Sequence, residues 1–168
     1  MPPGAPGLLP EWWERLVARI IDGVILGIIG GVIGSILTGI IVSSATTAAG
    51  VIGGLAVTYI VLGLLYTAYD FFLHSRNGQT VGKMVMKTRV VMADGRRPDQ
   101  ATLAKRALLY PGWILVGGIV MLVPILGGIV VFALAIFSLV DVIFILTDSP
   151  LRRALHDKWT NTIVVKAQ

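Results

Sequence analysis

The fourteen Lys and Arg residues of this 168-residue chain fall into three clusters that flank two long apolar stretches. Arg15 and Arg19 stand near the N-terminus, eight more lie between Arg76 and Arg106, and four lie from Arg152 onward. Between the clusters run Leu16–Phe72 and Ala107–Leu146, and the middle of each stretch is uncharged. If each stretch crosses a bilayer twice, every cation ends up on one side, the cytoplasmic side by the positive-inside rule. A soluble domain has no reason to sort its charge this way. The pattern predicts an all-α membrane protein: a four-helix transmembrane bundle in the cell membrane, with both termini cytoplasmic.

Composition points the same way. Charged residues make up 14% of the chain and mean hydropathy is +0.85, whereas a soluble domain carries about 25% charge to coat its surface. Glycine is abundant, at 20 residues, which suits helices packed closely in lipid. The net charge of +5 points to anionic inner-leaflet lipids rather than nucleic acid, because the cations sit beside the apolar stretches. With no cysteine, disulfides, thiolate metal sites and cysteine nucleophiles are excluded. Residues 1–14 are rich in Pro and Gly and read as a flexible extension, with Trp12 and Trp13 at interfacial positions. The apolar run after Arg19 is too long for a cleaved signal peptide and is expected to remain as an anchor.

A bilayer core of about 30 Å takes roughly 20 helical residues. The first span is expected over Leu16–Val42 and the second over Ala48–Phe72, joined by a small uncharged turn. Ala107–Leu146 would make about 60 Å of helix, enough for two spans, with a turn at Pro124. Pro111-Gly112 leaves the third span either kinked at Pro111, as an interfacial helix bending into the membrane, or short and broken. The loop 73–106 and the tail 147–168 form a small cytoplasmic cap. In it, Thr80 is expected to cap a short amphipathic helix over Val81–Lys87, and Arg89–Ala93 to pair with Thr160–Lys166 as a two-stranded sheet.

The charges within the spans are the candidate site. Arg15, Arg19 and Asp22 share one face of the first helix, continued by Gly23, Gly27, Gly30, Gly31 and Gly34. A charge in a span costs several kcal/mol unless paired or wet, by roughly the insertion scales. Arg19 and Asp22 are therefore expected to face protein or water, either as an ion-binding pair or as a local pair beside a packing stripe. Asp70 ends the second span, Arg106 and Tyr110 begin the third, and Asp141 interrupts the apolar run of the fourth. Asp141 serves either an ion network or packing specificity. Two other motifs fail. Gly78-Gln-Thr-Val-Gly82-Lys83 is one residue short of a phosphate loop and is followed by Met84 instead of Ser or Thr. His74 and His156 are too few and too far apart to suggest a metal site, and no enzyme chemistry, cofactor or metal is expected.

Four segments in series, RLVARIIDG (Arg15–Gly23), NGQTVGK with KTRVVMADG (Asn77–Gly95), KRALL (Lys105–Leu109) and RRALHDKWTNTIVV (Arg152–Val165), resemble the RDD family of bacterial membrane proteins. The Pro/Gly-rich start and EWWERLVARIIDG look like its actinobacterial members. The resemblance implies that Arg19 and Asp22 are the family's Arg and first Asp, with Asp157 of the LHD triplet as its second. Asp70 stands where members often carry an acid at the end of the second span. The function it implies is transport of ions or small ligands, specifically Na⁺/H⁺ exchange. Asp22, Asp141 and Asp70 would then bind Na⁺ or H⁺ in turn, within a homo-oligomer such as a homodimer packed through the first span. The alternative is a non-catalytic scaffold or regulatory subunit of another membrane complex.

Overall fold

The computed structural model describes residues 3–123 and 126–167. It is mostly helical, with α1 (Trp12–Ser44), α2 (Ala48–Asn77), α3 (Val81–Val85), β1 (Thr88–Met92), α4 (Gln100–Leu109), α5 (Trp113–Val120), α6 (Leu126–Thr147), α7 (Leu155–Trp159) and β2 (Thr162–Lys166) in chain order. Three stretches are long and apolar enough to cross a membrane: Trp12–Ser44, Ala48–Val85 and Gly127–Thr147. A fourth is reached only by joining α4 and α5 across a 52° bend. The bend falls where Tyr110, Pro111 and Gly112 interrupt the backbone ladder. The expected turn at Pro124 lies outside the described residues.

Local chemistry explains the boundaries. The Glu14 carboxylate accepts the Glu11 N–H at 2.7 Å and fixes the start of α1. Thr47 Oγ1 accepts the Gly50 N–H at 3.1 Å and starts α2. Gly78 ends α2 in the left-handed region, at φ +70°, a conformation that a side chain disfavours. Asp99 caps α4 by accepting from Thr102 N–H at 2.7 Å.

The helices are apolar outside and polar inside. Ile20, Val24, Ile28, Ile36 and Ile40 of α1 and Phe132, Leu139 and Leu146 of α6 are all exposed, while Asp22, Asp70, Arg106 and Asp141 are buried. Water would penalise such an apolar exterior, and hydrocarbon would not. The long apolar helices are those of a multi-pass membrane protein.

Two glycines set how closely the bent pair approaches α2. A Cβ on Gly63 would fall 2.5 Å from Leu115 N, and one on Gly118 would fall 2.8 Å from Ile60 N. Backbone packs on backbone at both points. Gly63→Ala is expected to destabilise by about 1–3 kcal/mol through overpacking, read as a lower melting temperature in detergent. Gly31→Ala, with nothing within 4 Å of the new Cβ, is expected to be neutral or stabilising.

β1 and β2 pair antiparallel, with Thr88 opposite Lys166 and Met92 opposite Thr162. Val91, Ile163 and Val165 form an apolar core with Leu9 and Leu151 against it. Leu8 and Leu9 therefore belong to the folded unit: the Leu8 carbonyl accepts the Lys166 N–H at 2.8 Å, and Pro10 is fully buried. Within the extension expected to be flexible, this part is docked on the sheet.

Candidate functional site

Asp157, on α7, is fully buried and joins three helices. Its Oδ1 accepts from Arg106 Nη2 of α4 at 2.7 Å, and its Oδ2 accepts from Arg15 Nη2 of α1 and from the Ala154 N–H at 3.2 Å. Arg15 is buried too and donates its other terminal nitrogen to the Arg152 carbonyl. Charges placed this deep survive only when each is paired and hydrogen-bonded.

Two Asp–His pairs flank the same arginine. The His156 backbone N–H donates to Asp141 Oδ1 at 2.8 Å, and its ring Nδ1 lies 2.8 Å from both Asp141 oxygens. Its Nε2 lies 2.8 Å from Arg106 Nη2 and 3.3 Å from Asp157 Oδ1. On the other side His74 Nδ1 lies 2.8 Å from the Asp70 carbonyl oxygen and 3.1 Å from its Oδ2. His74 Nε2 lies 2.7 Å from Lys83 Nζ and 3.4 Å from Arg106 Nη1. Tyr110 stacks on His156 at 5.7 Å between centroids. The Arg19 guanidinium lies 3.7 Å over the Tyr110 ring and 3.6 Å from Asp141 Oδ2.

Asp22 has a different task. It accepts from Tyr69 OH and the Gly82 N–H, each at 2.8 Å, and from Thr80 Oγ1. The first turn of α3 is thus capped by a carboxylate from α1, and Thr80 spends its hydroxyl on that carboxylate. The expected Arg19–Asp22 pair does not form: Arg19 turns to Tyr110 and Asp141. Although i, i+3 spacing allows contact, Asp22 is held by Tyr69, Thr80 and Gly82 instead.

Two neighbouring cavities open this network. One of about 30 Å³ is lined by Arg19, Lys83, Thr88 and Arg106 among others. Arg106 Nε and Thr88 Oγ1 are buried with no protein partner. That volume holds about two waters, which would satisfy both atoms. The other, of about 210 Å³, lies between α1, α2 and the α4–α5 bend. It shares Arg19, Asp22, Asp70 and Thr80 with the first and adds Tyr66, Tyr69 and Tyr110. Among the described residues, no group of three or more His, Asp or Glu side chains is arranged to hold a metal ion.

Burial alone would raise the Asp157 carboxyl, but His156, Arg106 and Arg15 outweigh it and hold the group well below 3.8. A carboxyl whose folded value is depressed contributes stability that is fully present above the unfolded value and lost as pH falls through the folded one. Melting temperature in detergent is therefore expected to hold down to about pH 4, the unfolded value, and to drop below it. A loss already complete at about pH 5 would contradict this pairing.

Of the six residues expected from sequence, Arg19, Arg106, Asp141 and Asp157 share one connected network. Asp70 joins it through His74, and Asp22 borders it across the cavities. Arg15, His74, Lys83 and His156 belong to the network without having been expected there. For Arg15 the available signal was its place one turn before Arg19 on the same face. For the histidines it was the i, i+4 spacing of Asp70 and His74. Nothing local links Asp141 to His156.

No curated protein matches the chain, and no solved structure matches it. The family model described as the RDD family matches residues 9–161, most of the chain. Together with the apolar helices and the four matching segments, this places the chain in the RDD family of multi-pass membrane proteins.

Proposed function

We propose that this chain is a transporter of small cations working by exchange with protons, as a homo-oligomer in the cell membrane. The four spans count the α4–α5 pair as one, and both termini and the sheet form a cytoplasmic cap. The observation that carries the reading is the 210 Å³ cavity, which runs from apolar, lipid-facing helices to Asp22 and Asp70. A cavity of that size among spans, apolar along most of its wall but ending at two carboxylates, fits a solute route better than packing alone. Asp70 is the carboxylate with most capacity to spare: His74 is its side-chain partner, whereas Asp22, Asp141 and Asp157 each hold several donors. A cation or proton arriving at Asp70 would compete with one imidazole, and His74 could then turn toward Arg106. The exposed face of α1 beyond the cavity offers an oligomer contact, since Gly31 and Gly39 have nothing within 4 Å beside exposed Ile28, Val32 and Ile36. Such stripes suit helix association in lipid.

The test is proton flux in proteoliposomes under imposed Na⁺, Li⁺ and K⁺ gradients. Asp70→Asn is expected to abolish flux, and, with one imidazole as its side-chain partner, to lower melting less than Asp157→Asn does. Full flux in that variant would remove Asp70 from the route. A second reading, a non-catalytic scaffold or regulatory subunit, is favoured by the dense pairing of Asp157 with α1 and α4. It predicts no flux and a stable heteromeric partner recovered in mild detergent.

A further inference from the structure

Phe72 and Arg76 lie four residues apart on one face of α2, and both are exposed. One turn separates them, roughly 6 Å along the axis. The headgroup layer is about 5–8 Å deep on each side of a bilayer. A Phe72 at the hydrocarbon edge therefore sets Arg76 at the depth of lipid phosphates.

Beside Arg76 is a concavity of about 250 Å³, and three guanidiniums from three segments border it: Arg76 of α2, Arg89 of β1 and Arg97 of the loop after β1. Asn77 adds an amide, and Gly78, Gly95 and the β1 valines form the remaining wall. Among the described residues, no carboxylate lines it. The acid nearest in sequence, Asp94, is engaged with Arg96 at 2.7 Å. Arg97 is held in place because its Nη2 donates to the carbonyls of Ser75 and, at 2.6 Å, Arg76, which end α2. Among the described residues, neither Arg76 nor Arg89 pairs with an acid. Three like charges around this hollow repel one another until an anion enters, and the planar guanidinium fork fits phosphate oxygens in pairs.

We propose that this hollow binds the phosphate of an anionic membrane lipid, seated against the end of α2 with its acyl chains along the Phe72 face. The site is separate from the charge network and its cavities, so its success or failure leaves the transport reading untouched.

The full chain in mild detergent, studied by native mass spectrometry with phosphatidylglycerol or phosphatidylcholine, tests this. The chain is expected to retain one phosphatidylglycerol in clear preference to phosphatidylcholine. Arg76→Gln with Arg89→Gln should weaken that binding about thirtyfold, and Arg76→Gln alone about fivefold, from the usual contribution of a cation near an anionic headgroup. Arg96→Gln, outside the hollow, should change nothing. Because the altered side chains are exposed, an unchanged melting profile for the double variant shows that its fold is intact. Equal retention of phosphatidylglycerol by the double variant and the parent chain would overturn the proposal. So would displacement of the lipid by inorganic phosphate at equal concentration, which would mark a site for soluble phosphate.

Discussion

Asp157→Asn is expected to lower the melting temperature in detergent by roughly 6–20 °C, among the largest effects of any single substitution in this chain. The change removes one charge and little volume. Arg15 and Arg106, both buried, share that carboxylate, and among the described residues no other acid reaches Arg15. Breaking a buried pair by deleting one partner costs about 3–5 kcal/mol, because the remaining charge is stranded away from water. For a chain of this size each kcal/mol shifts melting by about 2–4 °C. The loss should be cooperative across the molecule, since Asp157 ties α1, α4 and α7 together. Asp94→Asn is the control. Its pair with Arg96 is exposed, and exposed pairs contribute little, so melting should not move. If Asp157→Asn melts like the parent chain, the network is not what joins these helices.

Gly82→Ala is expected to come next, although it adds a single methyl group. Its Cβ would fall 2.0 Å from the Ala18 carbonyl oxygen and 2.8 Å from the Ala18 carbonyl carbon. Both are backbone atoms of a long helix and cannot swing aside, so α3 must move away from α1. The Gly82 N–H then leaves Asp22, now 2.8 Å away, and the Thr80 hydroxyl follows. Overpacking costs about 1–3 kcal/mol, and a lost hydrogen bond to a charged acceptor about 1.5–3 kcal/mol more. Thermal melting measures the sum. Gly23→Ala places its methyl on the same helix as Asp22 but in open space, and should be silent. Equal melting of the two variants would mean that the α1–α3 contact is looser than described.

The parts of the fold visible in the sequence were those set by local chemistry. The β-branched runs at Thr88–Met92 and Thr162–Lys166 sit beside Asp-Gly and Asn turns, and they pair as expected. Asn77-Gly78 ends α2 because only a residue without a side chain adopts its backbone angle freely. The site was only half legible. Asp141 stood out because an acid amid apolar residues must have a partner, but the partner, His156, lies fifteen residues on, across the break after α6. Arg15 was placed on the Arg19 face but left out of the candidate site, and its partner lies 142 positions away. Contacts of that range depend on how helices are arranged, and spacing along one helix cannot show them. The Arg19–Asp22 spacing misled for the same reason: i, i+3 neighbours can touch, but each found a better partner on another element.

The transport reading requires water to reach Asp22 and Asp70 through the larger cavity while lipid covers the rest of α1. Because the chain has no cysteine, single-cysteine variants read that directly with a charged, membrane-impermeant thiol reagent in proteoliposomes. Gly27→Cys lies on the cavity wall, and Ile28→Cys lies one residue along on an exposed apolar face. The account predicts rapid modification of Gly27→Cys and none of Ile28→Cys. Modification of Ile28→Cys as fast as Gly27→Cys, or of neither, would contradict it.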